Sequence, residues 1–212
     1  MKVLGIVCSS RKGGNTEILV REALEGAKDT GANVELLKIS EMKIAPCDGC
    51  TTCHQSGECR IKDDMQKVYK KILAADGIIL GSPVYFWSVS GQAKTLMDRT
   101  YALRYPHHKL KNKVGGAIVA TGRRGSVSAL SVINNFFLGH DMLISGLGIS
   151  GYGTNKGQVR QDKHAIESAR SLGTQVTELI KRTKPRAQNI LTDQRGINNE
   201  CARRARRSKR LD

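Results

Sequence analysis

Short apolar runs alternate with longer amphipathic segments along the first 180 residues of the chain. An apolar run of about four to eight residues is typical of a buried strand, and apolar positions three or four residues apart are typical of a helix packed on one face. The apolar runs predict strands at residues 2–7, 33–39, 77–80, 114–120 and 142–149. The amphipathic segments predict helices at residues 16–28, 63–75, 91–101, 127–138 and 162–182.

This regular alternation of strand and helix indicates a parallel sheet with helices on both faces. Crossovers between parallel strands are right-handed, so few topologies are available to five strands. We therefore predict an α/β fold with a flavodoxin-like five-stranded parallel sheet of order 2-1-3-4-5. This domain should span residues 1–184, with a cysteine-rich loop after strand two.

The net charge of the chain is +16, and it is unevenly distributed. Residues 181–212 carry 11 Lys and Arg against 3 Asp and Glu, so half of the excess lies there. We predict a basic C-terminal tail over residues 185–212. Its charge would suit nucleic acid, an acidic protein or a membrane surface, whereas its composition favours a solvated extension. The tail lacks aromatic residues for base stacking, so nucleic-acid binding is not expected.

The apolar amino terminus is short and runs directly into charged residues. It reads as neither a signal peptide nor a membrane span, and no other stretch approaches spanning length. We therefore expect no membrane contact and a cytoplasmic protein, whose thiols stay reduced.

Four cysteines lie close together in the loop after strand two, with the spacing C-x2-C-x2-C-x5-C. They are Cys47, Cys50, Cys53 and Cys59. Bacterial ferredoxins begin their iron–sulfur ligand run with the same C-x2-C-x2-C step. Gaps of two residues let successive sulfurs reach different irons of one cubane. The pattern therefore favours an iron–sulfur cluster held by the four thiolates.

Zinc, a disulfide and chance are the alternatives for this cysteine run. Structural zinc usually takes two separated C-x2-C pairs, although His54 could join such a site. Bridges between neighbouring C-x2-C cysteines would be strained, and nothing marks the chain for export. Chance is a poor account of four cysteines in so short a window.

The segment after the first predicted strand, residues 9–16, combines hydroxyls, glycines, an amide and two cations. It matches neither the GxGxxG dinucleotide loop nor the GxxxxGK[ST] loop. Because it leads into a helix N-terminus, it suits a terminal phosphate, which gains from the helix dipole. An ordinary helix cap at Asn15 is the alternative.

The segment after the third predicted strand places Tyr85, Phe86 and Trp87 in a row. Ligands of such sheets bind outside the carboxyl ends of the strands, at the switch point between strands one and three. A flat tricyclic ring would use these aromatic side chains. The alternative is that Phe86 and Trp87 pack under a neighbouring subunit. Residues 121–126, after strand four, could close the other side of a cofactor.

Three segments together resemble the iron–sulfur flavoprotein family, which lies within the flavodoxin-like, NADPH-dependent FMN reductases. They are CSSRKGGNT, APCDGCTTCHQSGECRIKDDM and ADGIILGSPVYFWSVSGQAKTLMDR, and the resemblance spans roughly residues 1–180. It implies FMN, one [4Fe–4S] cluster, and a homodimer or homotetramer. It also implies electron transfer with a partner such as ferredoxin, with oxygen or peroxide as acceptors. The basic tail lies outside the resemblance.

By this resemblance the loop after strand one would hold the FMN phosphate, and residues 83–86 would line the isoalloxazine ring. The four cysteines would bind the cluster. The predicted cofactor contacts are Ser9, Ser10, Arg11, Asn15, Thr16, Pro83, Val84, Tyr85, Phe86, Trp87, Thr121, Gly122 and Gly125.

Three functions remain open on the sequence. The first is a redox flavoprotein that passes electrons between FMN, a [4Fe–4S] cluster and ferredoxin or a similar acidic carrier. The second is an NAD(P)H-dependent FMN or quinone reductase without a functional cluster, and the third is a nucleic-acid-binding module. The histidines form no visible constellation, so no catalytic side chain is predicted. Strands two and three lie about 10 Å apart in the order 2-1-3, so both cofactor sites are expected at one sheet edge.

Overall fold

Strands and helices alternate over residues 1–183, the part of the chain that the computed structural model describes. The strands are β1 (Lys2–Val7), β2 (Asn33–Lys38), β3 (Gly77–Tyr85), β4 (Ser88–Val89), β5 (Val114–Thr121), β6 (Leu143–Ile144) and β7 (Ile149–Tyr152). The α-helices are α1 (Asn15–Asp29), α2 (Cys53–Ser56), α3 (Met65–Ala74), α4 (Gly91–Arg99), α5 (Tyr101–Arg104), α6 (Ser126–Gly139) and α7 (Lys163–Thr183). Short 3-10 helices span Ile39–Glu41 and Gln158–Gln161.

The sheet has the order β2-β1-β3-β5, and both β6 and β7 pair with β5 on its other side. These pairings are parallel, and only the short β4 runs antiparallel, beside the end of β3. Because β6 and β7 occupy the fifth strand position, the predicted flavodoxin-like fold and its order 2-1-3-4-5 are confirmed.

Apolar side chains fill both faces of the sheet. β5 is buried at every position and β1 at every position but its first, as expected for central parallel strands. Side chains alternate between the two faces, so Leu4 and Ile6 pack on the side of α3, α4 and α6. Val3 and Val7 pack on the side of α1 and α7.

The fifth strand position differs from the prediction of one strand over residues 142–149. Val114 pairs with Leu143, and Ile118 pairs with Ile149, so two extra residues loop out between β6 and β7. Gly146 lies in this interruption with a φ of 69°. The strand resumes and continues to Tyr152, so the chain after it reaches the carboxyl edge of the sheet.

No helix among residues 1–183 is long and apolar enough to cross a membrane. The basic tail predicted over residues 185–212 lies outside the described residues.

Helices α1 and α7 approach each other closely at two glycines. A Cβ on Gly173 would lie 1.7 Å from the carbonyl oxygen of Ala23, and a Cβ on Gly26 would lie 2.0 Å from that of Arg170. The obstacles are backbone atoms, which cannot turn aside as a flexible side chain can. The hydroxyl of Thr174 also donates to the carbonyl of Gly26, at 3.3 Å. The close packing of α1 against α7 therefore requires glycine at both positions, because any side chain would collide with the backbone of the other helix.

We predict that Gly173→Ala lowers the free energy of unfolding by about 1–3 kcal/mol, because the new methyl group must push α1 away. Urea unfolding followed by circular dichroism measures the change. Gly139→Ala is the matched control, since Gly139 is helical and exposed and a Cβ there meets no atom within 4 Å. The control should leave stability unchanged or raise it by up to about 1 kcal/mol. Equal effects at the two positions would contradict the packing argument.

Candidate functional site

A cleft of about 170 Å³ opens at the carboxyl edge of the sheet. Residues that follow β1 meet residues from the end of β3 there, and Gly122 joins them from the loop after β5. The lining residues are Ser9, Arg11, Asn15, Thr16, Pro83, Val84, Tyr85, Ala120, Gly122, Gly153 and Thr154. The structure therefore brings eight of the predicted cofactor contacts together around one cleft.

Three residues of this cleft were missed by the sequence prediction, namely Ala120, Gly153 and Thr154. Gly153 and Thr154 directly follow β7, which the prediction ended at residue 149. The sequence did contain a signal for these residues, because the polar run 154–156 follows the last apolar run. Loops that follow parallel strands meet at the same edge of the sheet, so this run belonged among the candidates.

The N-terminus of α1 faces the cleft through an uncapped first turn. Its N-cap residue is Gly14, and no side chain caps the helix. Backbone N–H groups in a first turn lack intrahelical partners and favour anions. Thr16 is only 1% exposed and lines the cleft beside this turn. Arg11 reaches across the cleft, where its Nη1 donates to the carbonyl of Thr154 at 3.1 Å.

A carboxylate occupies part of the same turn. The N–H of Gly13 donates to Oε2 of Glu17 at 2.9 Å, and Arg21 also pairs with that carboxylate. Burial opposes the charge of Glu17, but these hydrogen bonds outweigh it and lower the pKa of the carboxyl group. Glu17 therefore stays ionised and shapes the loop, and the Gly13 N–H is already used.

The side chain of Asn15 ties α1 to the loop after β7. Asn15 is the first residue of α1 and not its cap, so the capping alternative is wrong. Its Nδ2 donates to the carbonyls of Gly153 and Asn155, at 2.8 and 2.9 Å, and its Oδ1 accepts from the N–H of Val159. Both amide donors are thus taken, and the side chain fixes the loop after β7. Asn15 also lines the cleft, and its contact with a phosphate stays a prediction.

The aromatic segment forms a tight hairpin between β3 and β4. Tyr85 pairs with Ser88, and the two turn residues, Phe86 and Trp87, have φ values of 43° and 69°. Val84 and Tyr85 line the cleft, whereas Phe86 is 97% exposed and Trp87 is 56% exposed. Phe86 and Trp87 do not line the cleft, and their contact with a ring stays a prediction. Their projection from the hairpin is what packing under a neighbouring subunit would require.

The loop after β5 is shaped by Thr121 and Gly125. The Thr121 hydroxyl donates to the carbonyl of Arg124 at 3.0 Å and accepts from the N–H of Arg123. A Cβ on Gly125 would lie 2.9 Å from the Cα of Trp87. Neither residue lines the cleft, so both shape this loop and their cofactor contacts stay a prediction. Ser10 is exposed in the loop after β1 and does not line the cleft either.

The four cysteines of the loop after β2 surround a second cavity, of about 60 Å³. Cys47 and Cys50 are exposed, while Cys53 and Cys59 are half-buried and pack against the core. All four are free thiols. Within residues 1–183, no three His, Cys, Asp or Glu side chains converge closely enough to hold a single metal ion. The other lining residues are Asp48, Gly49, Thr51, Arg60, Asp98, Arg99, Tyr101 and Ala102.

The thiols of this cavity differ in acidity. Hydrogen bonds from Thr52 and the nearby Arg60 lower the pKa of Cys50. Burial, reinforced by the other cysteines, raises the pKa of Cys53. Thiolates are the metal-binding form, so the hydrogen bonds to Cys50 favour that form and the burial of Cys53 opposes it.

Arg99 joins the two ends of the cysteine loop through its guanidinium. Its guanidinium is fully buried and forms an ion pair with Asp63, with Nη1 2.7 Å from Oδ2. The same guanidinium donates to the carbonyls of Ala45 and Ile61. Asp63 in turn accepts from the N–H groups of Ala45 and Met65. Both ends of the cysteine loop are therefore fastened to one buried ion pair.

The two cavities are separate, because they share no lining residue. Asp98 and Arg99, at the C-terminal end of α4, line the cysteine cavity, whereas no residue of α4 lines the cleft. The expectation that both cofactor sites open at one sheet edge stays a prediction.

Comparison with known proteins agrees with this architecture. Residues 1–154 match the family described as NADPH-dependent FMN reductase. An iron–sulfur flavoprotein of Methanocaldococcus jannaschii is 43% identical over 193 residues, which cover 87% of this chain and all of the relative. Another, from Methanosarcina thermophila, is 40% identical over 148 residues, 69% of this chain and 78% of the relative. A solved flavodoxin from the domain Archaea, 16% identical, has a TM-score of 0.58 over 85% of this chain and 99% of the flavodoxin.

A parallel sheet of this order defines a flavodoxin-like fold. Within that class, the chain belongs to the iron–sulfur flavoprotein family of NADPH-dependent FMN reductases. It is an FMN-dependent oxidoreductase.

We predict that the stability contributed by Asp63 depends on pH. Its hydrogen bonds from Arg99, Ala45 and Met65 outweigh burial and lower the pKa of the carboxyl group below its usual value of 3.8. A lowered pKa stabilises the folded state above that value, and this contribution is lost as the pH falls through the folded pKa. At pH 7, Asp63→Asn should lower the unfolding free energy of the metal-free protein by about 3 kcal/mol. The difference should shrink below about pH 4.

Urea unfolding of the wild type and the variant from pH 3 to pH 7 measures this dependence. Asp98→Asn is the control, because Asp98 lines the same cavity but is exposed and pairs with Lys94 at the surface. Its effect should stay within about 1 kcal/mol. A difference for Asp63→Asn that does not vary with pH would show that the ion pair is not its source.

Proposed function

We propose that this protein passes electrons between FMN, a [4Fe–4S] cluster bound by Cys47, Cys50, Cys53 and Cys59, and an external carrier such as ferredoxin. The observation that carries the proposal is the convergence of the four cysteines on one cavity, with both ends of their loop fastened by Arg99. Bound flavin exchanges a hydride or single electrons, and a cubane exchanges one electron. No acid or base side chain is required for this chemistry.

The residues around the cleft fit the phosphate and ring of FMN. The uncapped first turn of α1, the hydroxyls of Ser9 and Thr16 and the guanidinium of Arg11 suit a phosphate dianion. Pro83, Val84 and Tyr85 supply an apolar wall beside it. The cleft thus divides into a polar end for phosphate and an apolar end for the ring.

The donor set of the second cavity fits a cubane better than a single ion. Four soft thiolates are the usual ligands of a [4Fe–4S] cluster. In a cubane each thiolate binds a different iron, so the sulfurs stand further apart than the ligands of one ion. Four cysteines that line one cavity agree with this requirement.

We propose further that the protein works as a homodimer or homotetramer in which the cluster of one subunit lies near the flavin of another. The separation of the two cavities, which share no lining residue, and the exposed Phe86 and Trp87 support this arrangement. The family description makes NAD(P)H a candidate partner. Oxygen or peroxide would serve as terminal acceptors. The reduced thiols that a cluster needs would favour the cytoplasm.

The carrier is proposed to be acidic because this chain is strongly basic. Its net charge is +16, and a charge of this size raises the rate of encounter with an oppositely charged protein. The basic tail predicted over residues 185–212 would add to the attraction.

An NAD(P)H-dependent FMN or quinone reductase without a functional cluster is the second candidate. The match of residues 1–154 to a family described as NADPH-dependent FMN reductase favours it, because that match covers the flavin cleft. The two candidates differ in one measurable property, the iron and sulfide content.

We predict about four iron and four sulfide per chain in protein prepared anaerobically, as a cubane requires. Cys47→Ala should lose iron and sulfide but keep FMN, because the cleft is built from other loops. Cys201→Ala, outside the cysteine run, is the control and should keep both. Metal, sulfide and flavin analysis with a visible spectrum measures these contents. Zinc without sulfide, or the absence of both iron and zinc, would instead favour the second candidate, the reductase without a functional cluster.

We also predict that Arg11→Ala weakens FMN binding by about 1.5–3 kcal/mol, the loss of one charge-assisted hydrogen bond. Riboflavin binding should change little, because riboflavin lacks the phosphate. Fluorescence titration of the flavin-free protein with each ligand measures both affinities. Lys28→Ala, which removes a cation from the other end of α1, should affect neither ligand. Equal losses for FMN and riboflavin would place the phosphate elsewhere.

A further inference from the structure

Arg99 keeps one buried hydrogen-bond donor unused. A guanidinium carries five N–H donors. Nη1 donates to Ala45 and Asp63, both at 2.7 Å, and Nη2 donates to Ile61 and Asp63, at 3.3 and 3.0 Å. The fifth donor, on Nε, has no partner, although the Arg99 side chain is 0% exposed. Buried hydrogen-bond donors normally have an acceptor, so an acceptor is expected for the Nε–H of Arg99.

The surroundings of Arg99 indicate which acceptor that is. Arg99 lines the cysteine cavity. Burial opposes its charge, but Asp63, Tyr69 and Cys59 lie close enough to raise its pKa. Asp63 accepts from the two terminal nitrogens, and the Tyr69 hydroxyl donates to the Arg99 carbonyl at 2.6 Å. Of the three groups, only Cys59 lines the cavity together with Arg99, so its sulfur is the acceptor that a bound cluster would bring to this cavity.

We propose that the Nε–H of Arg99 donates a hydrogen bond to the sulfur at Cys59 when the cluster is bound, and thereby raises the reduction potential of the cluster. The inference rests on the proposed function, since it requires the cluster. Reduction adds one negative charge, which a hydrogen bond and a buried cation both stabilise. Hydrogen bonds to the sulfurs and net charge are known determinants of such potentials. The Arg99 guanidinium that joins the ends of the loop therefore also shifts the redox equilibrium of the cluster toward the reduced state.

Arg60 provides a matched control, because it is the second arginine that lines the cavity. It differs from Arg99 in being exposed, with 56% of its side chain accessible, and in pairing with Asp48. Arg60 lies near Cys50, on the open side of the cavity. Replacing each arginine by lysine keeps the positive charge and removes the guanidinium.

The first test uses holoprotein in which arginine is labelled with ¹⁵N and the cluster is reduced. Pulsed electron paramagnetic resonance should detect a ¹⁵N coupling to the cluster in the wild type. The coupling should persist in Arg60→Lys and vanish in Arg99→Lys. A reduced cluster without ¹⁵N coupling, or a coupling that depends on Arg60 alone, would overturn the inference. The wild-type measurement decides the matter even if Arg99→Lys does not retain the cluster.

The second test is the midpoint potential, measured by anaerobic spectroelectrochemistry. Arg99→Lys should shift the reduction equilibrium at least tenfold toward the oxidised cluster, which corresponds to about 59 mV for one electron. Arg60→Lys should shift it by less than that. An unchanged potential in Arg99→Lys would contradict the inference. A wild type without iron and sulfide would instead defeat the proposed function, and this inference with it.

Discussion

The buried ion pair between Arg99 and Asp63 is the interaction on which the cysteine site depends. Residues 46–62 contain one short helix, and two of their four cysteines are exposed, so the loop buries little apolar surface of its own. Ordering such a segment costs conformational entropy that its own contacts do not offset. The ion pair joins its two ends through three backbone groups. The backbone carbonyl of Arg99 in turn accepts from the buried Tyr69 hydroxyl. Breaking such a pair leaves an uncompensated buried charge, a loss of about 3–5 kcal/mol.

Most of the fold could be predicted, because burial on both faces of a parallel sheet leaves a continuous apolar run at each central strand. β1 and β5 show this directly, and their limits agree with the prediction within one residue. The interruption between β6 and β7 could not be predicted, because Gly146 and Gly148 weaken an apolar run without showing where pairing resumes. That depends on the register with β5, which is a tertiary property.

The candidate site could be predicted at the level of loops but not of side-chain directions. Strand order determines which loops meet, so the loops after β1 and β3 were correctly expected at one cleft. The direction of Asn15 depends on carbonyls almost 140 residues away, and the hairpin that turns Phe86 and Trp87 outward depends on their left-handed backbone. Arg99 lies on a helix far along the chain from the cysteines, and no local pattern links them.

The glycine contact between α1 and α7 has a consequence for biosynthesis. One face of the sheet is covered by the first helix and the last described helix. The apolar side chains of that face are therefore fully covered only after α7 has been synthesised, about 150 residues after β1. Contacts between such distant segments form late and slow folding. On the ribosome, the strands β1, β3 and β5 would emerge with that face covered by α1 alone. Chaperones should therefore be needed to shield the nascent chain until α7 has left the exit tunnel.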